Sequence, residues 1–130
     1  MTKTVLLIED NEQNRYLTTF LLERHGYTVI SAPDGMSGIE LANHCAPDII
    51  LLDIQLPRLD GYAVARALRQ LGKLEQVPII AVTSYAMVGD REKTLTAGCN
   101  GYIEKPINPD TFVSEIEQFL RGQRPAHEAS

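Results

Sequence analysis

A chain of 130 residues with 44% hydrophobic and 22% charged residues has the size and composition of one soluble domain with a single respectable core. Its net charge of −5 argues against nucleic acid bound through a broad basic surface, and no apolar run approaches the length that crosses a membrane. Met1-Thr2-Lys3 leads into a strand with no signal-peptide pattern, so a cytoplasmic location is expected.

The first predicted element, Thr4 to Ile8 (TVLLI), is an apolar run suited to a strand buried on both faces, and it runs into acid at Glu9-Asp10. Asn11 or Asp10 can cap the helix that follows, whose Leu17, Phe20 and Leu21 recur at helical spacing before Gly26 supplies a stop. Tyr27 to Ala32 is a second strand, ending at Ala32-Pro33 with nothing polar to offer. Asp34-Gly35 opens a second helix, closed by Pro47. The third strand, Ile49 to Asp53, is continuously apolar until it ends in a carboxylate, with Pro57 and Asp60-Gly61 marking a loop beyond it. A carboxylate there is costly unless charge meets it, so Asp53 is paired, metal-bound or reactive, or else it merely caps a turn.

Val64, Leu68 and Leu71 give a third helical stripe between Gly61 and Gly72. Val77 to Thr83 is a fourth strand that ends in hydroxyls at Thr83-Ser84, and Tyr85 to Ala97 is a weaker helix, interrupted by Gly89 and stopped by Gly98. Gly101 to Glu104 is a short fifth strand that delivers Lys105-Pro106. Asn108-Pro109-Asp110 then predicts a helix start with a capping Asn and Pro at the first helical position, followed by the core-facing stripe Phe112, Val113, Ile116, Phe119 and Leu120. Cys45 and Cys99 lack metal-ligand spacing and read as small buried hydrophobes. His25 and His44 fall near helix ends, where a cation suits the dipole, and with His127 they are assigned no chemistry.

Strands alternating with helices predict an α/β domain with a doubly wound five-stranded parallel sheet. Open sheets of this kind hold their ligands outside the carboxyl ends of the strands, at the point where strand order switches. Four strand ends here carry polar groups, Glu9-Asp10, Asp53, Thr83 and Lys105, and the second strand carries none, as expected at the margin of the order 2-1-3-4-5. Asp10 and Asp53 then face each other across the switch point. Crowded carboxylates repel unless a cation joins them, and a set of oxygen ligands suits a hard divalent ion, with Mg²⁺ the best match to an open site. Acids, a hydroxyl and a lysine around such an ion make a phosphoryl-transfer site with a carboxylate nucleophile.

The stretches LLIEDN (Leu6 to Asn11), DIILLDIQLPRLDG (Asp48 to Gly61), VTS (Val82 to Ser84) and YIEKPI (Tyr102 to Ile107) resemble the acidic pair, phosphoacceptor loop, switch hydroxyl and Lys-Pro of a two-component response regulator receiver domain. TSYAMVGD (Thr83 to Asp90) is most similar to the stand-alone receivers of the cell-division control type. The resemblance implies a flavodoxin-like receiver fold with five helices over residues 1–121, followed by a polar tail at 122–130. It implies that Asp53 accepts a phosphoryl group from a histidine kinase or histidine phosphotransfer protein. Asp10 and Asp53 would ligate Mg²⁺ directly, Glu9 through water and Gln55 through its main-chain carbonyl. Lys105 would pair with the phosphoryl oxygens ahead of a cis peptide to Pro106, Thr83 would follow the phosphoryl group, and Tyr102 would turn inward behind it. Gln55 and Tyr85 would flank the route of attacking water.

The expected outcome is a switch and not an enzyme, beyond self-phosphorylation from small donors and self-dephosphorylation. Output would pass through a surface around strands 4 and 5 and helices 4 and 5, including Tyr85, Met87 and Val88, to a downstream regulatory protein or kinase. The protein would be a monomer or weak dimer. Three alternatives remain: a phosphatase forming an aspartyl phosphate, against which Gln55 stands where such enzymes carry a second Asp; a receiver that only binds partners; and a nucleotide or flavin binder, for which no Gly-rich loop follows the first strand.

Overall fold

The computed structural model describes residues 3–56, 60–84 and 88–121. Pro57, Tyr85, Met87, His127, the side chain of Val88 and the expected tail at 122–130 lie outside the described residues. In chain order the elements are β1 (Thr4–Ile8), α1 (Glu12–Arg24), β2 (Thr28–Ala32), α2 (Gly35–His44), β3 (Ile49–Asp53) and α3 (Gly61–Arg69). A 3-10 turn (Gly72–Leu74), β4 (Ile79–Thr83), α4 (Val88–Thr96), β5 (Gly101–Glu104) and α5 (Phe112–Leu120) complete the fold. All strand pairs are parallel and the sheet order is β2-β1-β3-β4-β5, as the pattern of strand ends predicts.

Strand alternation sends the two faces of the sheet into two separate cores. Leu6, Ile8, Ile50, Leu52, Ile79 and Ala81 pack with Ala42, Val64, Ala65, Leu68 and Ala97 on the side of α2, α3 and α4. Val5, Leu7, Ile49, Leu51, Ile80, Val82 and Ile103 pack with Leu22 of α1 and Phe112, Val113, Ile116 and Phe119 of α5. β3 and β4 are buried at every residue, which is why their sequences run apolar without alternation.

Four local expectations are corrected. In α1 the buried residues are Thr18 and Leu22, whereas Leu17 is 41% and Phe20 48% exposed. Apolar side chains spread around more than one face of this helix, so spacing alone does not choose the face that packing selects. α3 stops at Arg69, and the 3-10 turn occupies the way into β4, which pairs only from Ile79. Asn108 does cap a turn, its Oδ1 accepting the Asp110 N–H at 2.9 Å, but α5 proper begins only at Phe112, with Thr111 as its cap residue. Cys99 is buried as expected, while Cys45, at the C-cap of α2, is only partly covered. His25 and His44 do sit at helix ends, their Nδ1 atoms 2.9 and 3.0 Å from the carbonyls of Leu21 and Glu40.

Candidate functional site

β1 and β3 are neighbours, so the residues that follow their last paired positions emerge side by side at the carboxyl edge. The Glu9 N–H is tied to the Ala32 carbonyl at 3.0 Å, fixing the exit of β1 against β2. Asn11 caps α1 by accepting the Asn14 N–H at 2.8 Å, and its own N–H donates to Glu9 Oε2 at 3.1 Å. Glu9 is thereby turned into the sheet edge and is 4% exposed, whereas Asp10 is exposed. Asp53, the last residue of β3, is 2% exposed, and its Oδ1 accepts the Gln55 N–H at 2.9 Å. Gly61 lets α3 start close behind it: a Cβ there would lie 2.4 Å from Ile54 Cα and 2.8 Å from the Asp53 carbonyl oxygen.

Lys105, delivered from β5 and followed by a cis Lys105–Pro106 peptide, places Nζ 3.2 Å from Glu9 Oε1 and 3.2 Å from Asp53 Oδ2. The carboxylates of Glu9, Asp10 and Asp53 offer oxygens within 4.8 Å of one another. Burial, then a hydrogen bond that protonated Glu9 donates to Asp53 and the charge of Asp53, push Glu9 up to about 7, against the opposing pull of the Asn11 N–H and Lys105. Burial acts to lower the Lys105 ammonium, but Asp53 and Glu9 more than offset it, so Lys105 stands raised. One lysine therefore does not neutralise three acids. A hard divalent cation would supply the missing charge, and the all-oxygen donor set fits one.

Thr83 is buried at the end of β4, and its carbonyl accepts the Lys105 N–H at 2.8 Å, so the hydroxyl residue and the lysine are held together at the sheet edge. Tyr102 is half-buried against the core on the α3 and α4 side. The Gln55 side chain turns across the edge to accept the Ser84 N–H at 3.3 Å, leaving its main-chain carbonyl as the oxygen it could offer a metal. Every sequence-predicted site residue thus lies at one edge except Tyr102, which stands back within β5. Beside Lys105 opens a cleft of about 490 Å³ lined by Asn14, Leu17, Thr18, Ser84, Pro106 and Ile107. Sequence reasoning missed Arg15, whose guanidinium reaches back over the first turn of α1 to the carbonyls of Glu9 and Asp10. Its signal, an Arg one turn inside a capped helix, is too common to single out.

A doubly wound parallel sheet with acids and a lysine gathered at its switch point defines a domain of the class that places its ligand site at the carboxyl ends of the strands. The comparisons sharpen this. The family described as the response regulator receiver domain matches residues 5–117. The polar-differentiation response regulator DivK of Brucella ovis is 42% identical over 120 residues, covering 92% of this chain and 98% of DivK. Among solved structures, the receiver domain of the sensor histidine kinase PA1611 from Pseudomonas aeruginosa, with a magnesium ion coordinated in its active site cleft, is 37% identical with a TM-score of 0.84, covering 95% of this chain and all (100%) of that one. The Vibrio cholerae chemotaxis protein CheY4 shares the fold at a TM-score of 0.88 and 24% identity, over 91% of this chain and 98% of its own. The chain belongs to the response regulator receiver family, whose members are generally signalling switches and not enzymes.

Proposed function

We propose that Asp53 is the phosphoacceptor of a two-component switch, charged by a phosphohistidine on a histidine kinase or histidine phosphotransfer protein. The observation that carries this reading is Lys105 Nζ at 3.2 Å from both Glu9 Oε1 and Asp53 Oδ2, at an edge where three carboxylates crowd together. In the transfer an oxygen of Asp53 bonds to phosphorus as the phosphorus–nitrogen bond of the donor breaks, its electron pair returning to the imidazole. The Gln55 N–H holds Oδ1, so Oδ2 is the oxygen presented toward Lys105. Lys105 then meets the negative charge on the phosphoryl oxygens. Asp10 and Asp53 would hold Mg²⁺, with Glu9 acting through water and the Gln55 carbonyl completing the protein's share. When bound, the ion neutralises phosphoryl oxygens. The magnesium-bound receiver of PA1611 supports the assignment.

A phosphoryl dianion in place of a carboxylate gives Thr83 a new hydrogen-bond partner, which biases β4, β5, α4 and α5 between two arrangements that a downstream regulatory protein or kinase distinguishes. Tyr102 follows that change from its half-buried place in β5. The donor approaches over the cleft beside Lys105, whose wall includes Leu17; Tyr16, 67% exposed, and Phe20 continue that apolar face along α1. Residues 1–121 act as the receiver unit, a monomer or weak dimer, with 122–130 as its polar tail.

Intact-protein mass after exposure to acetyl phosphate, with and without Mg²⁺, tests the reading. A Mg²⁺-dependent gain of one phosphoryl group, roughly 80 Da, that Asp53→Asn abolishes is expected. An unchanged mass with both acetyl phosphate and a phosphohistidine donor would sink it.

A further inference from the structure

The three acids of the site are not held alike. Glu9 and Asp53 are each pinned through their carboxylates, by Lys105 and by the N–H groups of Asn11 and Gln55 respectively. Asp10 is exposed, and among the described residues no hydrogen bond or ion pair holds its carboxylate. Among those residues, its position rests on its main chain.

That main chain is gripped by Arg15. The Arg15 N–H closes the first turn of α1 on the Asn11 carbonyl at 2.9 Å, and the side chain doubles back so that Nη1 donates to the Glu9 carbonyl at 2.9 Å and, at a longer 3.4 Å, to that of Asp10. Among the described residues Arg15 pairs with no carboxylate, although the carbonyls it grips belong to two of the three acids that crowd together. Its donors go to carbonyls, so Arg15 takes no carboxylate oxygen away from a cation. Both bonds leave from Nη1, which the rigid plane of the guanidinium holds over the turn, whereas a lysine would offer its ammonium on a flexible stem.

Resting on the receiver reading, we propose that Arg15 is a positioning residue of the cation site: it fixes the β1–α1 turn so that the carboxylate of Asp10 is already placed when Mg²⁺ arrives. Two effects of Arg15 have opposite signs, and this makes the proposal testable. As a nearby positive charge it opposes a second cation, so removing it for its charge alone tightens Mg²⁺. As a positioning group it favours the cation, so removing it weakens Mg²⁺. Groups that orient metal ligands are typically worth ten-fold or more in affinity, more than one exposed charge contributes in water.

The experiment is isothermal titration of the full chain with Mg²⁺, no phosphodonor present, for wild type, Arg15→Gln and Arg15→Lys, each checked by circular dichroism and melting temperature without metal. The expected result is about ten-fold weaker binding in Arg15→Gln with its metal-free melting temperature nearly unchanged. Arg15→Lys, which keeps the charge but replaces the rigid guanidinium with an ammonium on a flexible stem, is also weakened, by less. Equal or tighter binding in Arg15→Gln overturns the proposal. If Arg15→Gln does not fold, Arg15→Lys decides, and wild-type affinity in that variant overturns it. Failure of the wild type itself to bind Mg²⁺ removes the receiver reading, and the assignment of Arg15 with it.

Discussion

At the carboxyl edge of the sheet Lys105 stands between Glu9 and Asp53 with a third acid nearby, so that charge is left unbalanced, while burial and then Asp53 push Glu9 up to about 7. At the amino edge another half-buried cation, Arg69, gives its hydrogen bonds to neutral oxygens: Gly98 at 2.8 Å, Leu74 at 2.7 Å, Val77 at 2.8 Å and the side chain of Asn100 at 2.6 Å. That same Asn100 oxygen accepts the Ile79 N–H at 2.9 Å, so one guanidinium ties the end of α3, the 3-10 turn, the entry of β4 and the turn between α4 and β5. Gly98 makes this approach possible, with φ +110 and the Arg69 stem where a Cβ would stand, 2.6 Å from Cγ. One edge is satisfied and holds the fold; the other is left short of positive charge and is where a ligand can act. On the proposed function, stability and reactivity are separated along the strands.

The largest expected effect comes from breaking the satisfied edge. Arg69→Met takes from the part-buried Gly98 and Val77 carbonyls the side-chain donor they have, and a second donor from Leu74 and Asn100, and each unpaired group costs about 1–3 kcal/mol. A loss of about 3 kcal/mol, near 10 °C in Tm, is predicted by thermal denaturation, while Mg²⁺ binding by the folded fraction survives. A smaller loss, about 2 kcal/mol, is predicted for Gly61→Ala, since its Cβ would meet backbone that no side-chain rotation can clear. Here, unlike Arg69→Met, acceptance of phosphoryl from acetyl phosphate should fall together with Tm, because the displaced backbone is that of Asp53 and Ile54.

The reactive edge should respond to pH and metal. Glu9 stands at about 7 in the folded chain against an ordinary 4.5, so between these values the folded state keeps a proton that the unfolded state has released. Its contribution is therefore destabilising as pH rises through that window, and fully so above it. Melting curves should show Mg²⁺ raising Tm more at pH about 8 than at pH about 5. Glu9→Gln should stabilise the metal-free protein at the higher pH by on the order of 1 kcal/mol, raising Tm there, and change little at the lower. An equal Mg²⁺ shift at both pH values would contradict this electrostatic account. The smallest stability change belongs to the exposed face of α1. Leu17→Asp should stay within about 0.5 kcal/mol of wild type and keep its reaction with acetyl phosphate, yet lose rate with a phosphohistidine protein as donor.

The two edges also differed in how much the amino-acid sequence disclosed. Glu9, Asp10, Asp53, Thr83 and Lys105 were legible because each interrupts or ends an apolar strand, and strand order alone gathers such ends. Arg69 and Arg15 were not, since an arginine on a helix gives no local sign of the distant carbonyls it will reach. Leu17 and Phe20 misled for a related reason: helical spacing is local, whereas the face that packs is decided by the sheet. The start of α5 shifted from Pro109 to Phe112 because Asn108 caps a turn first, a choice between neighbouring hydrogen-bond patterns that residue type leaves open.

The most direct test of the central claim is to load the protein from a phosphohistidine donor with Mg²⁺, reduce the acyl phosphate with borohydride and map the peptides. The account predicts homoserine at position 53 and at no other carboxylate. Reduction at Asp10, at Asp60 or nowhere in a phosphorylated sample would contradict it.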